Sequence, residues 1–376
     1  MKYDAIVIGG GFAGTSAAYF LSQAANVMLI EGETSLGTQS SGRSAEQFTV
    51  GIAADTMRGL GAASRSFFDN PPDGFCEGAL LSPRGCLTVG STEQKGRLDA
   101  LVERLVSAKA EAQILSGSEA LGMFPSLLPA GVECGVYEPG AADIDSNKLL
   151  QGYVRGARLH GATIESGQPA ISIRKTAKGW EVTTPSGCHE AAVLVNAAGA
   201  WVDEVAAMAG IKPVGIMPMR RTAFTFAAPT GVRVDDWPHI FKVGRQWYLK
   251  PEAGRFMGSL AEEVLTPPGD VYPDDIDVAQ AIENIQADTD LEVGRPLSTW
   301  AGLRNFVRDR NPLCGVRASD PSFVWVAAQG GCGVLTSPAL GAAAAAAALG
   351  QPLPEIVSAF GITSADLSPD RLSLNH

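Results

Sequence analysis

The sequence is poor in the residues that build metal sites, redox pairs and nucleic-acid surfaces. It has only four His and six Cys in 376 residues, and no two Cys are spaced as CxxC. A zinc site and a redox-active dithiol are therefore not expected, and the thiols are predicted to be free in a reducing compartment. Basic residues are also few, with 29 Lys and Arg against 40 Asp and Glu, so the net charge is −11. An acidic chain is a poor partner for nucleic acid or an anionic membrane surface.

Long apolar runs are lacking as well. The uncharged stretch 321–354 is rich in Gly and Ala and is interrupted by Pro338 and Pro352. This composition predicts a buried strand and helix instead of a transmembrane segment. The chain begins directly with an apolar strand, which predicts no signal peptide and a cytoplasmic protein. At about 100–200 residues per domain, the length predicts two domains.

The first thirty residues carry the most specific motif. An apolar strand runs into Gly9, Gly11 and Gly14 in the spacing GxGxxG, a helix follows, and a second strand at 27–30 ends at Glu31. In this setting Gly9 permits a tight turn, Gly11 lets the backbone approach a pyrophosphate, and Gly14 lets the helix pack on the strand. The Glu31 carboxylate can accept hydrogen bonds from ribose hydroxyls and would repel a 2′-phosphate. The pattern predicts a dinucleotide site.

A second glycine-rich turn lies near the C-terminus. A strand at 323–328 leads into the turn 329–334, and Thr336 or Ser337 is the expected N-cap of a helix with Pro338 in its first turn. The positive end of that helix can stabilise an anionic ring. No acidic residue follows at the spacing of the first motif, so a second dinucleotide site is not predicted.

The middle of the chain is less regular. Helices are predicted at 64–68, 92–110 and 147–159, strands at 162–173, 179–184 and 191–196, and an antiparallel sheet within 213–300.

Together these features resemble the D-amino-acid-oxidase superfamily of flavoproteins, and within it the bacterial FAD-dependent D-arginine dehydrogenases. The stretches that carry the likeness are Ser41–Ala45, Phe68–Pro72, Leu81–Arg84, Ala142–Asp145, Val195–Trp201, Trp300–Arg304 and Val326–Gly331. The resemblance implies an α/β fold with a discontinuous, Rossmann-like FAD-binding domain at 1–80, 145–212 and 300–376. It also implies an α+β substrate domain with a mixed or antiparallel sheet at 81–144 and 213–299.

The resemblance further implies non-covalent FAD and no metal. The positions that would hold FAD are Gly9, Gly11, Phe12, Ala13, Gly14, Glu31, Gly32, Ser41, Gly42, Arg43, Ser44, Ala45, Thr49, Ala170, Ala198, Gly199, Trp201, Arg304, Gly330, Gly331, Gly333, Val334, Leu335 and Thr336. The turn before the last long helix would border the N1–C2=O edge of the flavin.

The same resemblance assigns a carboxylate clamp to Arg221, Tyr248 and Arg304 as the catalytic residues. Arg is the natural bidentate partner of a carboxylate. Arg220 and Arg221 are adjacent in a strand and point to opposite faces, so only one of them can serve the site. The alternative is that Arg221 and Arg304 form ordinary surface ion pairs.

The substrate pocket departs from the arginine enzymes at several positions. Its predicted members are Gln47, Ile52, Cys86, His239, Gly331 and Leu335. Cys86 stands where those enzymes have an acid for the guanidinium, so D-arginine and D-lysine are expected to be poor substrates. Glu46 is the alternative source of that charge, and His239 is interpreted as either a pocket or a turn residue.

The predicted reaction is the oxidation of a neutral or apolar D-α-amino acid by hydride transfer from Cα to flavin N5. The resulting imino acid hydrolyses to a 2-oxo acid and ammonia. The same clamp would also serve an N-alkyl or cyclic amino acid or a 2-hydroxy acid, and a flavin-binding protein without turnover is a third possibility. A quinone, another carrier or O2 would accept the electrons.

Overall fold

The computed structural model describes residues 2–51, 53–244 and 247–373. It places them in two large β-sheets and one small one, with helices packed around them. Ile52, a predicted pocket residue, lies outside the described residues. Within the described ranges, no helix combines the length and apolarity that a membrane crossing requires.

The first large sheet has eight strands and a parallel centre. From one edge its order is Thr163–Glu165, Val27–Ile30, Lys2–Ile8, Gly187–Asn196, Asp320–Ala327 and Leu313–Arg317. A hairpin completes the sheet. Its strands are Ser172–Thr176 and Gly179–Thr184, and the second of them pairs with the start of Gly187–Asn196. The single strand predicted at 162–173 was wrong, because Gly167 and Pro169 separate two strands with different partners.

Helices cover the first sheet. They are Phe12–Leu21, Asp55–Asp69, Ser146–Leu159, Val202–Met208, Gly333–Ala348, Glu355–Ser358 and Ser364–Leu367, with 3-10 turns at Ser40–Arg43, Gly199–Trp201 and Pro369–Ser373. The expected start of the last long helix was wrong, since it begins at Gly333 and contains Pro338. The missing Pro338 N–H leaves the carbonyl of Val334 free, and the Ser337 hydroxyl donates to that oxygen at 2.9 Å.

The second large sheet is mostly antiparallel, as predicted for 213–300. Its order is Val264–Leu265, Met217–Ala227, Arg255–Ser259, Tyr248–Glu252, His239–Lys242, Cys86–Gly90, Cys134–Glu138 and Gln113–Ser116, with Ser298–Phe306 paired along Met217–Ala227. Its helices are Lys95–Ser107, Gly117–Met123 and Asp275–Asp288, and a 3-10 turn lies at Thr92–Gln94. The small sheet has the order Gln47–Phe48, Ala142–Ile144 and Leu81–Pro83.

The two-domain division stays a prediction. One of its boundaries, at 300, falls inside the strand Ser298–Phe306, which pairs residue by residue with Met217–Ala227. By hydrogen bonding this strand is therefore part of the second large sheet.

Close packing between two helices that cover the first large sheet depends on a glycine without positive φ. A Cβ on Gly341 would lie 2.7 Å from the Cβ of Ser16 and 2.9 Å from its backbone carbon. Real Cβ atoms do not approach that closely, so the helices Gly333–Ala348 and Phe12–Leu21 would have to separate.

We expect Gly341→Ala to destabilise the protein by about 1–3 kcal/mol through overpacking, despite the higher helix propensity of Ala. Gly122→Ala is the matched control, because Gly122 is also helical and a Cβ there meets nothing within 4 Å. That control should raise stability by up to about 1 kcal/mol. Urea unfolding measures both, and equal effects of the two substitutions would contradict the packing argument.

Candidate active site

A cavity of about 450 Å³ opens at the carboxyl ends of the parallel strands. Its lining includes the predicted cofactor residues Gly9, Gly11, Glu31, Gly32, Ser41, Ala170, Ala198, Gly199 and Trp201. It lies at the N-terminus of the helix Phe12–Leu21, where unpaired backbone N–H groups favour phosphate. The position and the lining suit the ADP half of a dinucleotide.

The glycine turn has the geometry that the motif predicts. Gly9 has φ +112°, and a Cβ there would lie 2.4 Å from the carbonyl oxygen of Ala197. A Cβ on Gly14 would lie 1.8 Å from the Gly9 carbonyl oxygen. Only glycine allows these contacts. The Glu31 carboxylate accepts hydrogen bonds from Gly10 N at 2.6 Å and Glu33 N at 2.8 Å, which fixes it at the rim of the cavity.

A second cavity, of about 150 Å³, lies between the two large sheets. It brings together the predicted catalytic residues Arg221, Tyr248 and Arg304 and the predicted pocket or cofactor residues Ser44, Ala45, Gln47, Thr49, Gly330, Gly331, Val334 and Leu335. The amide nitrogens of Gln47 and Gln329, which also lines the cavity, are buried and have no hydrogen-bond acceptor among the described residues. Each is a free donor for a bound group.

The remaining predicted cofactor residues line neither cavity. Phe12, Ala13 and Gly14 form the first turn of a helix, Gly42 and Arg43 belong to a 3-10 turn, and Gly333 and Thr336 lie in the first turn of Gly333–Ala348. Each of these positions lies within three residues of one that lines a cavity.

Strand register positions the two clamp arginines. In the paired strands, Arg221 is opposite Gly302 and Arg304 is opposite Met219. A Cβ on Gly331 would lie 3.8 Å from both Arg221 Nη1 and Arg304 Cδ. Gly331 therefore lies beside both arginines, and its lack of a side chain leaves room next to their guanidinium groups.

Arg304 is buried, with 8% of its surface exposed, and its Nη2 donates to the Arg43 carbonyl at 3.1 Å. Burial, and then the positive charge of Arg221, lower the pKa of Arg304 to about 10. Over residues 2–51, 53–244 and 247–373, no carboxylate lies within ion-pair distance of it. Arg304 is therefore a buried cation whose charge is not compensated by a carboxylate of these residues.

Arg220 and Arg221 point in opposite directions, as predicted. Arg220 pairs with Asp277 at 2.9 Å on a neighbouring helix, whereas Arg221 lines the cavity. The Arg221 Nη2 also lies 3.2 Å from Glu263, which Arg310 contacts at 2.8 Å. Arg221 thus forms an ion pair, which was the alternative to a role in the clamp, and also lines the cavity. Arg304 forms no ion pair with any of the described residues.

Sequence reasoning missed Glu263 and Arg310. Both line the second cavity, and the Arg310 guanidinium carbon lies 3.9 Å from the centre of the Phe306 ring. No motif marks them, because their contacts join residues from separate loops.

Cys86 and His239, two of the predicted pocket residues, do not line the second cavity. His239 is fully buried in a strand, where its Nε2 lies 2.8 Å from Asp143 Oδ1, and burial lowers the pKa of its imidazole. Cys86 lies opposite His239 in the adjacent strand, and burial raises the pKa of its thiol. Phe241 and Tyr248, from the same buried cluster as Cys86, reach the cavity instead.

The site defines a flavin-dependent oxidoreductase, and comparison with known proteins agrees. Residues 4–347 match the family described as DAO, FAD dependent oxidoreductase. The chain belongs to that family, and its cofactor is FAD. Gly9, Gly11 and the free amide donors fit this group.

Two relatives and one structure illustrate the likeness. Glycine oxidase of Bacillus licheniformis is 25% identical over 96% of both chains. Human mitochondrial dimethylglycine dehydrogenase is 27% identical over 56% of this chain, and the match covers a quarter of that enzyme. The structure of L-alpha-glycerophosphate oxidase from Mycoplasma pneumoniae with FAD bound has a TM-score of 0.84 and 20% identity, covering 93% of this chain and 95% of the other. The expected likeness to D-arginine dehydrogenases stays a prediction.

Two glycines of the motif should differ in what their loss changes. A Cβ on Gly11, which lines the larger cavity, meets only the Ser41 side chain, at 2.9 Å, whereas one on Gly14 collides with backbone. We expect Gly11→Ala to weaken FAD binding by about tenfold or more, which is about 1.4 kcal/mol. The melting temperature of its apoprotein should shift by less than about 2 °C.

Gly14→Ala should instead lower the melting temperature of the apoprotein itself. Flavin fluorescence titration and thermal unfolding separate the two effects. An unchanged FAD affinity in Gly11→Ala would contradict the assignment of this turn.

Proposed function

We propose that the protein oxidises a D-α-amino acid with a neutral or apolar side chain to the imino acid, which water converts to a 2-oxo acid and ammonia. The observation that carries this proposal is that Arg221 and Arg304 face the same cavity, and that the buried Arg304 has no carboxylate partner among the described residues. A substrate carboxylate supplies the anion that this pair needs.

The residues around the cavity position the substrate. Arg221 and Arg304 bind its carboxylate, and the Tyr248 hydroxyl, in the same wall, donates a further hydrogen bond. FAD, when bound, would supply the acceptor for the hydride that leaves Cα. The amine must be neutral for this step, since its lone pair forms the C=N bond as the hydride leaves. The chain contributes mainly orientation and electrostatic stabilisation.

Two acids line the cavity, and both are engaged. Glu263 is bound by Arg221 and Arg310, and Glu46 accepts a hydrogen bond from Ser146. A guanidinium or ammonium side chain would be repelled by Arg221, Arg304 and Arg310 in the same cavity, and Glu46 is the one lining carboxylate among the described residues that no arginine or lysine pairs with there. D-arginine and D-lysine are therefore expected to be poor substrates.

A second candidate is an N-alkyl glycine. It is favoured by the likeness to dimethylglycine dehydrogenase and glycine oxidase and by the small cavity of about 150 Å³. The same clamp would hold its carboxylate, and an N-methyl group would face Phe241 and Leu335. In either case a quinone, another carrier or O2 takes the electrons, in the cytoplasm.

Anaerobic bleaching of the flavin absorbance tests both candidates. The panel is D-leucine, D-phenylalanine, D-arginine, the L-enantiomers, sarcosine, dimethylglycine and lactate. We expect bleaching by neutral D-amino acids, with kcat/KM for D-leucine about 100-fold above that for D-arginine. Bleaching by sarcosine or dimethylglycine alone would favour the second candidate. No bleaching by any member would reject both.

Adjacent arginines provide a matched pair of variants. Arg221→Gln should weaken binding of a competing carboxylate about 10- to 100-fold, because hydrogen bonds to charged groups contribute about 1.5–3 kcal/mol. Arg220→Gln removes the same charge one residue away, on the face of Asp277, and should change the affinity less than about threefold. The measurement is a titration of the flavin spectrum with benzoate, and equal losses in both variants would contradict the clamp.

A further inference from the structure

We propose that Lys250 is a positioning residue for the flavin. Its ammonium group holds the segment 44–47 against the second cavity and places a buried positive charge behind it. This inference depends on FAD binding and not on the proposed substrate.

Lys250 is a buried lysine with one hydrogen bond to the cavity wall. Only 4% of its surface is exposed, and its Nζ donates to the Ala45 carbonyl oxygen at 3.0 Å. Ala45 itself lines the second cavity. A charge buried to this degree must be compensated, so the surroundings of the ammonium group matter.

Asp143 supplies part of that compensation. Its Oδ1 lies 3.7 Å from Lys250 Nζ and 2.8 Å from His239 Nε2, and its Oδ2 accepts from Arg84. Glu252 lies 3.8 Å from the ammonium on the other side. The Asp143 and Glu252 carboxylates therefore compensate the Lys250 ammonium, while Arg84 and the Nε2–H of His239 hold Asp143 in place.

The segment that Lys250 contacts has a backbone that needs such support. Glu46 has φ +56°, a left-handed conformation that costs free energy in a residue with a side chain. The Glu46 N–H donates to Ser44 Oγ at 3.1 Å, and its carbonyl accepts from Ile144 N at 2.8 Å. With Lys250 on Ala45, these bonds fix the turn whose neighbours line the cavity.

The sheet offers a matched control for Lys250. Lys242 lies on the neighbouring strand, is 7% exposed, and also binds one carbonyl, that of Gly131, and one carboxylate, that of Asp288. It does not line either cavity, and its side-chain partners Gly131 and Asp288 do not line them either. Its backbone N–H donates to the carbonyl of Trp247, which does line the second cavity, but a side-chain substitution keeps that bond. Lys242→Met therefore removes an equally buried ammonium group whose own partners lie away from both cavities.

The test measures FAD affinity by fluorescence titration of the apoprotein and the flavin midpoint potential by dye equilibration. We expect Lys250→Met to raise the FAD dissociation constant at least about tenfold. It should also make the potential more negative, because a lost positive charge disfavours the anionic reduced flavin. Lys250→Arg, which keeps the charge and the donors, should stay close to wild type.

Lys242→Met should alter stability while leaving both readouts unchanged. If Lys250→Met does not fold, Asp143→Asn replaces it. It should also raise the FAD dissociation constant, because Lys250 loses a partner, but it should make the potential less negative, because a lost negative charge favours the anionic reduced flavin. The test uses whichever of these variants folds. The proposal is overturned if that variant has an FAD affinity within twofold of that of Lys242→Met and a midpoint potential equal to that of Lys242→Met within error.

Discussion

Two like charges held together in a partly desolvated cleft are the constraint on which this site is built. Arg221 and Arg304 face one small cavity, and burial with mutual repulsion lowers the pKa of Arg304 to about 10. Such a pair costs stability unless anions accompany it. Glu263 compensates Arg221 from the cavity edge, whereas among the described residues Arg304 bonds to the Arg43 carbonyl and to no carboxylate. Under the proposed function, the substrate carboxylate supplies the negative charge that Arg304 lacks.

Small residues make this arrangement sterically possible. Gly302 lies opposite Arg221, and a Cβ there would be 3.3 Å from Arg304 Nη1 and 3.0 Å from the Cβ of Arg43. Gly331 leaves a similar gap on the other side of the arginines. Larger side chains at either position would compete with the guanidinium groups for the same volume. The charge pair and the glycines around it therefore depend on each other.

The sequence was informative where chemistry is local. The turn at Gly9 and the strand Val27–Ile30 follow from steric rules that act within a few residues, and the structure agrees with both. Cys86 and His239 do not line the smaller cavity, and the sequence could not indicate this because alternation along a strand does not say which face meets a cavity. Glu263 and Lys250 were missed because their partners are distant in the chain and come from other strands.

The two large sheets contribute different chemistry to the site. Around the larger cavity, the first sheet offers mainly glycine backbone, small side chains and a helix N-terminus, which recognise a cofactor through shape and dipoles. The second sheet and its loops bring the charged groups Arg221, Arg304 and Arg310 to the smaller cavity. Substitutions in the second sheet can thus change the ligand while the first sheet keeps the same flavin. This separation explains how relatives with different substrates in their names can share one fold, and why the fold alone does not specify the substrate.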